Sequence, residues 1–139
     1  MEKRKPDLIL VRGLPGSGKS TLSKKFSNYH HVEADMYWGL NYDFDIKKIG
    51  DAHSWCLKTT KNILSAGYNV VVSNTFLTLD ELEPYFKMAK ELDITLSVLL
   101  CQGNFKSIHN VPDDVLDEMK GRFQLDLTKL FDKVFGVSS

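Results

Sequence analysis

The sequence predicts an α/β fold, a small parallel sheet of about four strands flanked by helices. Three observations carry that prediction. Residues 13–20 read Gly-Leu-Pro-Gly-Ser-Gly-Lys-Ser, the G-x-x-x-x-G-K-[ST] pattern of a loop that wraps phosphate groups in backbone N–H donors. The apolar run Leu8-Ile9-Leu10-Val11 stands just before it, and the helix-type run Thr21-Leu22-Ser23-Lys24-Lys25-Phe26 just after it. Strand-type and helix-type segments then alternate, which argues parallel strands joined by right-handed crossovers. A chain of 139 residues can bury one core, so the expectation is a single P-loop NTPase domain over residues 1–139.

The elements follow in order. After the first strand, loop and helix, His31-Val32-Glu33-Ala34 reads as a short second strand. Aromatic residues crowd the next stretch: Tyr37, Trp38, Tyr42 and Phe44, with Tyr29 just before the strand. Asp45 is placed to cap a long helix on which Ile46, Ile49, Ala52, Cys56, Ile63 and Ala66 recur at helical spacing, and Gly67 stops it. Residues 69–73 form a buried, β-branched strand around Val70, Val71 and Val72. Leu79, Leu82, Phe86 and Ala89 mark a helix over 79–92, with Pro84 expected to kink it or to move its start. The apolar run 95–101 is the fourth strand, and 102–111 is polar and loop-like. Pro112 opens a last helix, with Asp113 and Asp114 in its first turn and a stripe of Leu116, Met119, Phe123, Leu127, Leu130 and Val134. There is no internal repeat, linker or low-complexity segment.

Composition narrows the function. Eighteen basic residues balance eighteen acidic ones, so there is no extended nucleic-acid surface, although a small basic pocket for a nucleic-acid end stays possible. No stretch has the length of a membrane span, and the N-terminus lacks the apolar region of a signal peptide. Cys56 and Cys101 fall in apolar patterns and read as buried thiols without disulfide or zinc spacing, which suits a reducing, cytoplasmic setting.

The loop chemistry is specific. Gly13, Pro15, Gly16, Ser17, Gly18, Lys19, Ser20 and Thr21 are the expected contacts of a nucleoside triphosphate such as ATP. The glycines allow positive φ and close approach of the phosphates. Lys19 supplies a point charge for the β/γ-phosphates, and Ser20 a hydroxyl ligand for Mg²⁺. The strand ending in Val72 runs into Ser73-Asn74-Thr75 with no acid, which weighs against a hydrolysis motor; Ser73 and Asn74 are left to orient metal-bound water. Asp35, just beyond the second strand, lies where the carboxyl ends of parallel strands line the ligand crevice. A carboxylate there suits a general base that takes the proton of an attacking hydroxyl, with Lys19 as its catalytic partner on the phosphates. The bland reading makes Asp35 a turn cap. Glu33 reads as a solvated or structural side chain.

The arrangement of residues 13–20, Asp35 and Val70-Val71-Val72-Ser73-Asn74-Thr75 resembles the 5′-hydroxyl kinase domain of polynucleotide kinases, and related small kinases of the zeta-toxin and chloramphenicol phosphotransferase type. The likeness covers roughly residues 7–131, and Ala52-His53-Ser54-Trp55-Cys56 shares in it. It implies ATP and Mg²⁺ at Lys19 and Ser20, and Asp35 as general base. Kinases of this plan place arginines in a lid after the fourth strand, and members that act on nucleic acid carry another close behind the base. Here the arginines are Arg4, Arg12 and Arg122; the lid stretch offers Lys106 and His109, with Lys120 and Arg122 beyond, and Asp35 is followed by Met36-Tyr37-Trp38-Gly39. The hydroxyl acceptor is therefore either a nucleic-acid 5′ end or a small molecule, and a nucleotide-binding interaction module with weak or no catalysis is the alternative. His53 stands one residue off its helix stripe and reads as a boundary residue or a substrate contact. Tyr37, Trp38 and Tyr42 are either packing or a stacking platform for a base, and His30-His31 lacks partners at metal spacing.

Overall fold

The computed structural model describes residues 5–39, 46–102 and 113–136. Strands β1 (Asp7–Arg12), β2 (His30–Val32), β3 (Val70–Asn74) and β4 (Thr95–Leu100) form one parallel sheet in the order β2-β3-β1-β4. The helices are α1 (Lys19–Ser23), α2 (Ile49–Ser65), α3 (Leu79–Leu92), α4 (Asp113–Arg122) and α5 (Thr128–Phe135), with 3₁₀ turns at Ala34–Trp38 and Ile46–Lys48. The first two strands in sequence are not neighbours: β3 lies between β2 and β1, and in the register Arg12 pairs with Asn74. The carboxyl ends of the central strands therefore meet where the glycine loop leaves β1.

Strand periodicity divides the core by sheet face. Leu8, Leu10, Val70 and Val72 face α2, α3 and α5 and pack with Cys56, Leu82, Phe86, Leu130 and Val134. Ile9, Val11 and Val71 face the other way, against Leu22, Phe26, Tyr29 and Leu99. On α2 the buried stripe is Ala52, Cys56, Thr60 and Leu64, whereas Ile49 stays 37% exposed. Thr60 is tolerated inside because its hydroxyl donates to the Cys56 carbonyl at 2.7 Å.

Three expectations are corrected by the coordinates. The second strand is His30–Val32, one residue earlier than read, and Glu33 and Ala34 leave it for the 3₁₀ turn. Pro84 does not move the start of α3, which stays at Leu79, its first turn held by Glu81 Oε2, which accepts the Thr78 backbone N–H at 2.8 Å. The last helix is two helices. Gln124 interrupts it, donating its N–H to the Leu77 carbonyl at 2.8 Å and accepting the Leu79 N–H on its side-chain oxygen at 2.7 Å. Asp126 Oδ1 then takes the Thr128 N–H at 3.0 Å and restarts the chain as α5. Only the α5 half of the predicted stripe, Leu130 and Val134, is fully buried; α4 buries no residue completely. Asp45, Tyr42, Phe44, Lys106, His109 and Pro112 lie outside the described residues. Among the described residues no helix is long and apolar enough to cross a membrane.

Candidate active site

The glycine loop turns off β1 at Arg12, and its shape is set by backbone needs. Gly16 and Gly18 take φ of 80° and 94°, the left-handed region where a Cβ is penalised. Gly13 is required for closeness instead. A Cβ there would meet Ser17 Oγ at 2.4 Å and the Cys101 carbonyl oxygen at 2.7 Å. The loop is tied to the sheet by Gly13 N–H donating to the Thr75 carbonyl at 3.2 Å, and closed on itself by Ser17 N–H donating to the Leu14 carbonyl at 3.1 Å. Pro15 turns the tip. Ser17 Oγ is buried and has no hydrogen-bond partner among the described residues, a donor held ready inside the loop.

Helix α1 is shorter than the sequence suggested, five residues, with Thr21 exposed on it. Ser73, at the end of β3, locks it: Ser23 Oγ meets Ser73 Oγ at 2.5 Å and donates to the Lys19 carbonyl at 2.8 Å. Asn74 is equally committed, its Oδ1 accepting the Ala34 N–H at 2.9 Å and its amide facing Cys56 Sγ at 3.6 Å. Both side chains thus take part in holding α1 and the turn that carries Asp35.

The ammonium of Lys19 folds over the loop and donates to the Leu14 carbonyl at 3.0 Å. Burial lowers its pKa from the usual lysine value, opposed by the charges of Glu33, Cys101 and Asp35 in that order. Ser20 Oγ donates to Glu33 Oε1 at 2.5 Å, and His31 Nε2 lies 3.1 Å from the same oxygen, misaligned for a hydrogen bond. Burial alone would raise the Glu33 carboxyl, but His31, Ser20 and Lys19 outweigh it and hold the group below the ordinary glutamate range. Glu33 is thus no solvated bystander. The sequence signal was available in its place at the strand end, two residues before Asp35, but a lone acid beside a better-placed one carries little weight.

Asp35 sits exposed on the 3₁₀ turn beyond β2, with Ala34 pinned beneath it by Asn74. Glu33 bonds Ser20, and the charges of both Glu33 and Asp35 act on the Lys19 ammonium; His30 packs edge-on to Tyr68 at the far end of β2. Trp38 and Trp55 are half-buried against the main core, with Tyr37 edge-on to Trp38 at 5.3 Å, so these aromatics pack. Arg12, the arginine nearest in sequence to the loop, is turned away from it. It is 2% exposed, its guanidinium donates to the Phe76 and Leu77 carbonyls, and Phe123 stacks 4.3 Å beneath it. Among the described residues no cluster of three His, Cys, Asp or Glu side chains could hold a metal unaided. An ion here would complete its shell with phosphate oxygens and water, as Mg²⁺ does.

Comparison with known proteins agrees with this geometry. The chain is 33% identical to human (Homo sapiens) NEDD4-binding protein 2 over 91 residues, covering 60% of this chain and 5% of that protein. It is 25% identical over 132 residues to the bifunctional polynucleotide phosphatase/kinase of Schizosaccharomyces pombe, covering 86% of this chain and 30% of that one. The chain thus spans 30% or less of the length of these curated relatives. The structure of a Pnkp1/Rnl/Hen1 complex shares the fold, with a TM-score of 0.62 at 20% identity over 93% of this chain and 44% of that chain. Residues 8–107 match the AAA_33 model, described as an AAA domain, and with its phosphate loop and parallel sheet the chain belongs to that family of P-loop domains.

Proposed function

We propose that this chain is an ATP-dependent phosphotransferase that moves the γ-phosphate to a hydroxyl acceptor. One observation carries the reading: a phosphate-shaped loop with an unpartnered inner hydroxyl on Ser17 stands beside Lys19, Ser20 and two carboxylates. The loop N–H groups and Ser17 Oγ bind the triphosphate, and the lysine ammonium exchanges its Leu14 carbonyl for phosphate oxygens. The donor set also fits Mg²⁺: Ser20 Oγ is a hard oxygen ligand, and Glu33 holds and polarises it from 2.5 Å. When bound, the ion supplies charge neutralisation on the phosphates. Asp35 orients the attacking hydroxyl and accepts its proton.

The test is Asp35→Asn assayed with labelled ATP. Transfer to acceptor should vanish while the ATP Kd, read by calorimetry, moves less than about threefold, because the base touches the acceptor and not the triphosphate. Transfer at the parental rate would remove Asp35 from the mechanism. The shortage of arginines favours a second reading, a nucleotide-binding interaction module: Arg12 is consumed by the fold, and Arg122 faces Glu118 at 4.0 Å on α4. Labelled product from any hydroxyl acceptor would dismiss it.

A further inference from the structure

Between α2 and α3, at the carboxyl end of β3, lies a cavity of about 230 Å³ whose walls include His53, Ser54, Asn74, Asp80, Glu81 and Tyr85. Three links place it against the phosphate loop. Asn74 pairs in the sheet with Arg12, the residue before Gly13. The Gly13 N–H donates to the carbonyl of Thr75, next to it in the chain. The Asn74 side chain holds Ala34, the residue before Asp35.

The cavity also has an unmet need. Tyr85 is 5% exposed, and its hydroxyl is buried without a partner of hydrogen-bond geometry among the described residues. The Cys56 thiol, a weak acceptor, stands near it. An oxygen brought by a ligand would satisfy it. The charge of the walls is mainly negative. Asp80 and Glu81 contribute carboxylates, His53 is the basic side chain on the wall, and among the described residues no lysine or arginine lines the space, although the charge of Arg12 reaches Glu81. Glu81 is engaged by the Thr78 N–H, so Asp80, exposed at the rim, is the freer charge. The volume equals about eight water molecules of the liquid and lies below the range of pockets for drug-sized ligands.

We propose that this cavity seats the acceptor, and that the acceptor is a small hydroxyl compound, neutral or cationic, without an anionic group. The proposal rests on the phosphotransferase reading and narrows it. The acceptor oxygen forms a bond to the γ-phosphorus as the bond from phosphorus to the bridging oxygen breaks. That oxygen leaves with the electron pair as part of ADP, and the acceptor proton passes to Asp35. A phosphate-bearing nucleic-acid end meets Asp80 at the rim, and Glu81 behind it is already partly offset by the charge of Arg12. The uncompensated Asp80 disfavours the end by like charge.

Glucosamine, glucose and glucose 6-phosphate serve as cationic, neutral and anionic probes, titrated by saturation-transfer NMR with ADP present. The parent should bind the first two at least tenfold more tightly than the third. Asp80→Asn combined with Glu81→Gln, which keeps a side-chain oxygen for Thr78, should bring the ratio within threefold. Ser54→Trp, filling the cavity from the exposed side of α2, should abolish glucose binding. Glucose 6-phosphate binding as tightly as glucose, a ratio untouched by the double variant, or no binding of any probe would each overturn the assignment. Efficient phosphorylation of a 5′-hydroxyl oligonucleotide by the parent would do the same. Calorimetry with ATP distinguishes the two levels: ATP bound without probe discrimination defeats this assignment alone, whereas no ATP binding defeats the kinase reading beneath it.

Discussion

Replacing Arg12 with Met tests how the loop is anchored. The guanidinium donates to the Phe76 carbonyl from Nε at 3.1 Å and from Nη2 at 2.5 Å, and to the Leu77 carbonyl at 3.4 Å. Swapping a whole buried ion pair for apolar groups is often neutral, because both charges escape the desolvation penalty. Arg12 differs, since its hydrogen-bond partners are backbone carbonyls that no substitution removes, with the charge of Glu81 acting on it as well. Leu77 would keep a donor, the Gln124 N–H at 2.8 Å, but the Phe76 carbonyl would be left buried and unmet. An orphaned buried acceptor costs about 1–3 kcal/mol. Loss of the cation over Phe123, a desolvated contact, adds about 1–2 kcal/mol. Met retains most of the buried stem, and relief of the desolvation that lowers the arginine pKa returns part of the cost, leaving a net loss of about 2–4 kcal/mol. With a urea slope of about 1–3 kcal/mol per molar, the unfolding midpoint should fall by roughly 1–2 M. Arg12→Lys, with a point charge in place of the fork, should recover only part of that. A midpoint within about 0.3 M of the parent would refute the reasoning, since it would mean that Phe76 and Phe123 do not depend on the guanidinium.

Two further outcomes follow from the loop. Gly13→Ala forces its Cβ toward Ser17 Oγ and toward the Cys101 carbonyl, which is held because the Cys101 N–H donates to the Arg12 carbonyl at 2.8 Å. Overpacking of this kind costs about 1–3 kcal/mol, and calorimetry should show ATP affinity at least tenfold weaker, roughly 1.4 kcal/mol. Glu33→Gln removes the charge held against Ser20, so Mn²⁺ binding in the ATP complex, followed by electron paramagnetic resonance, should weaken about tenfold, as partners of metal ligands do when changed. Metal-free ATP affinity should not fall with it.

Much of the architecture was legible because it depends on local pattern. The octet from Gly13 to Ser20, the apolar runs at Leu8–Val11 and Val70–Val72, and the spacing of Leu82, Phe86 and Ala89 each state a backbone need or a buried face without reference to the rest of the chain. The break in the last helix and the engagement of Ser73 and Asn74 share one cause. The stripe from Leu116 to Val134 keeps helical period across 123–127, but long-range bonds from Gln124 to Leu77 and Leu79 outcompete helix continuation there. Ser73 and Asn74 are likewise drawn into bonds with Ser23, Ala34 and Cys56, which no local pattern announces.

From its own residues the chain determined a phosphate-wrapping loop, the parallel sheet that presents it, and an acid at the end of the second strand. Those follow from positive φ, strand periodicity and motif spacing, all short-range properties. Only tertiary structure decided that Glu33 reaches Ser20, that Arg12 serves the fold and not the phosphates, and that Asp80 and Tyr85 share a cavity with Asn74. Each of these joins side chains from segments apart in sequence, and burial and hydrogen-bond competition in the folded core settle such partnerships.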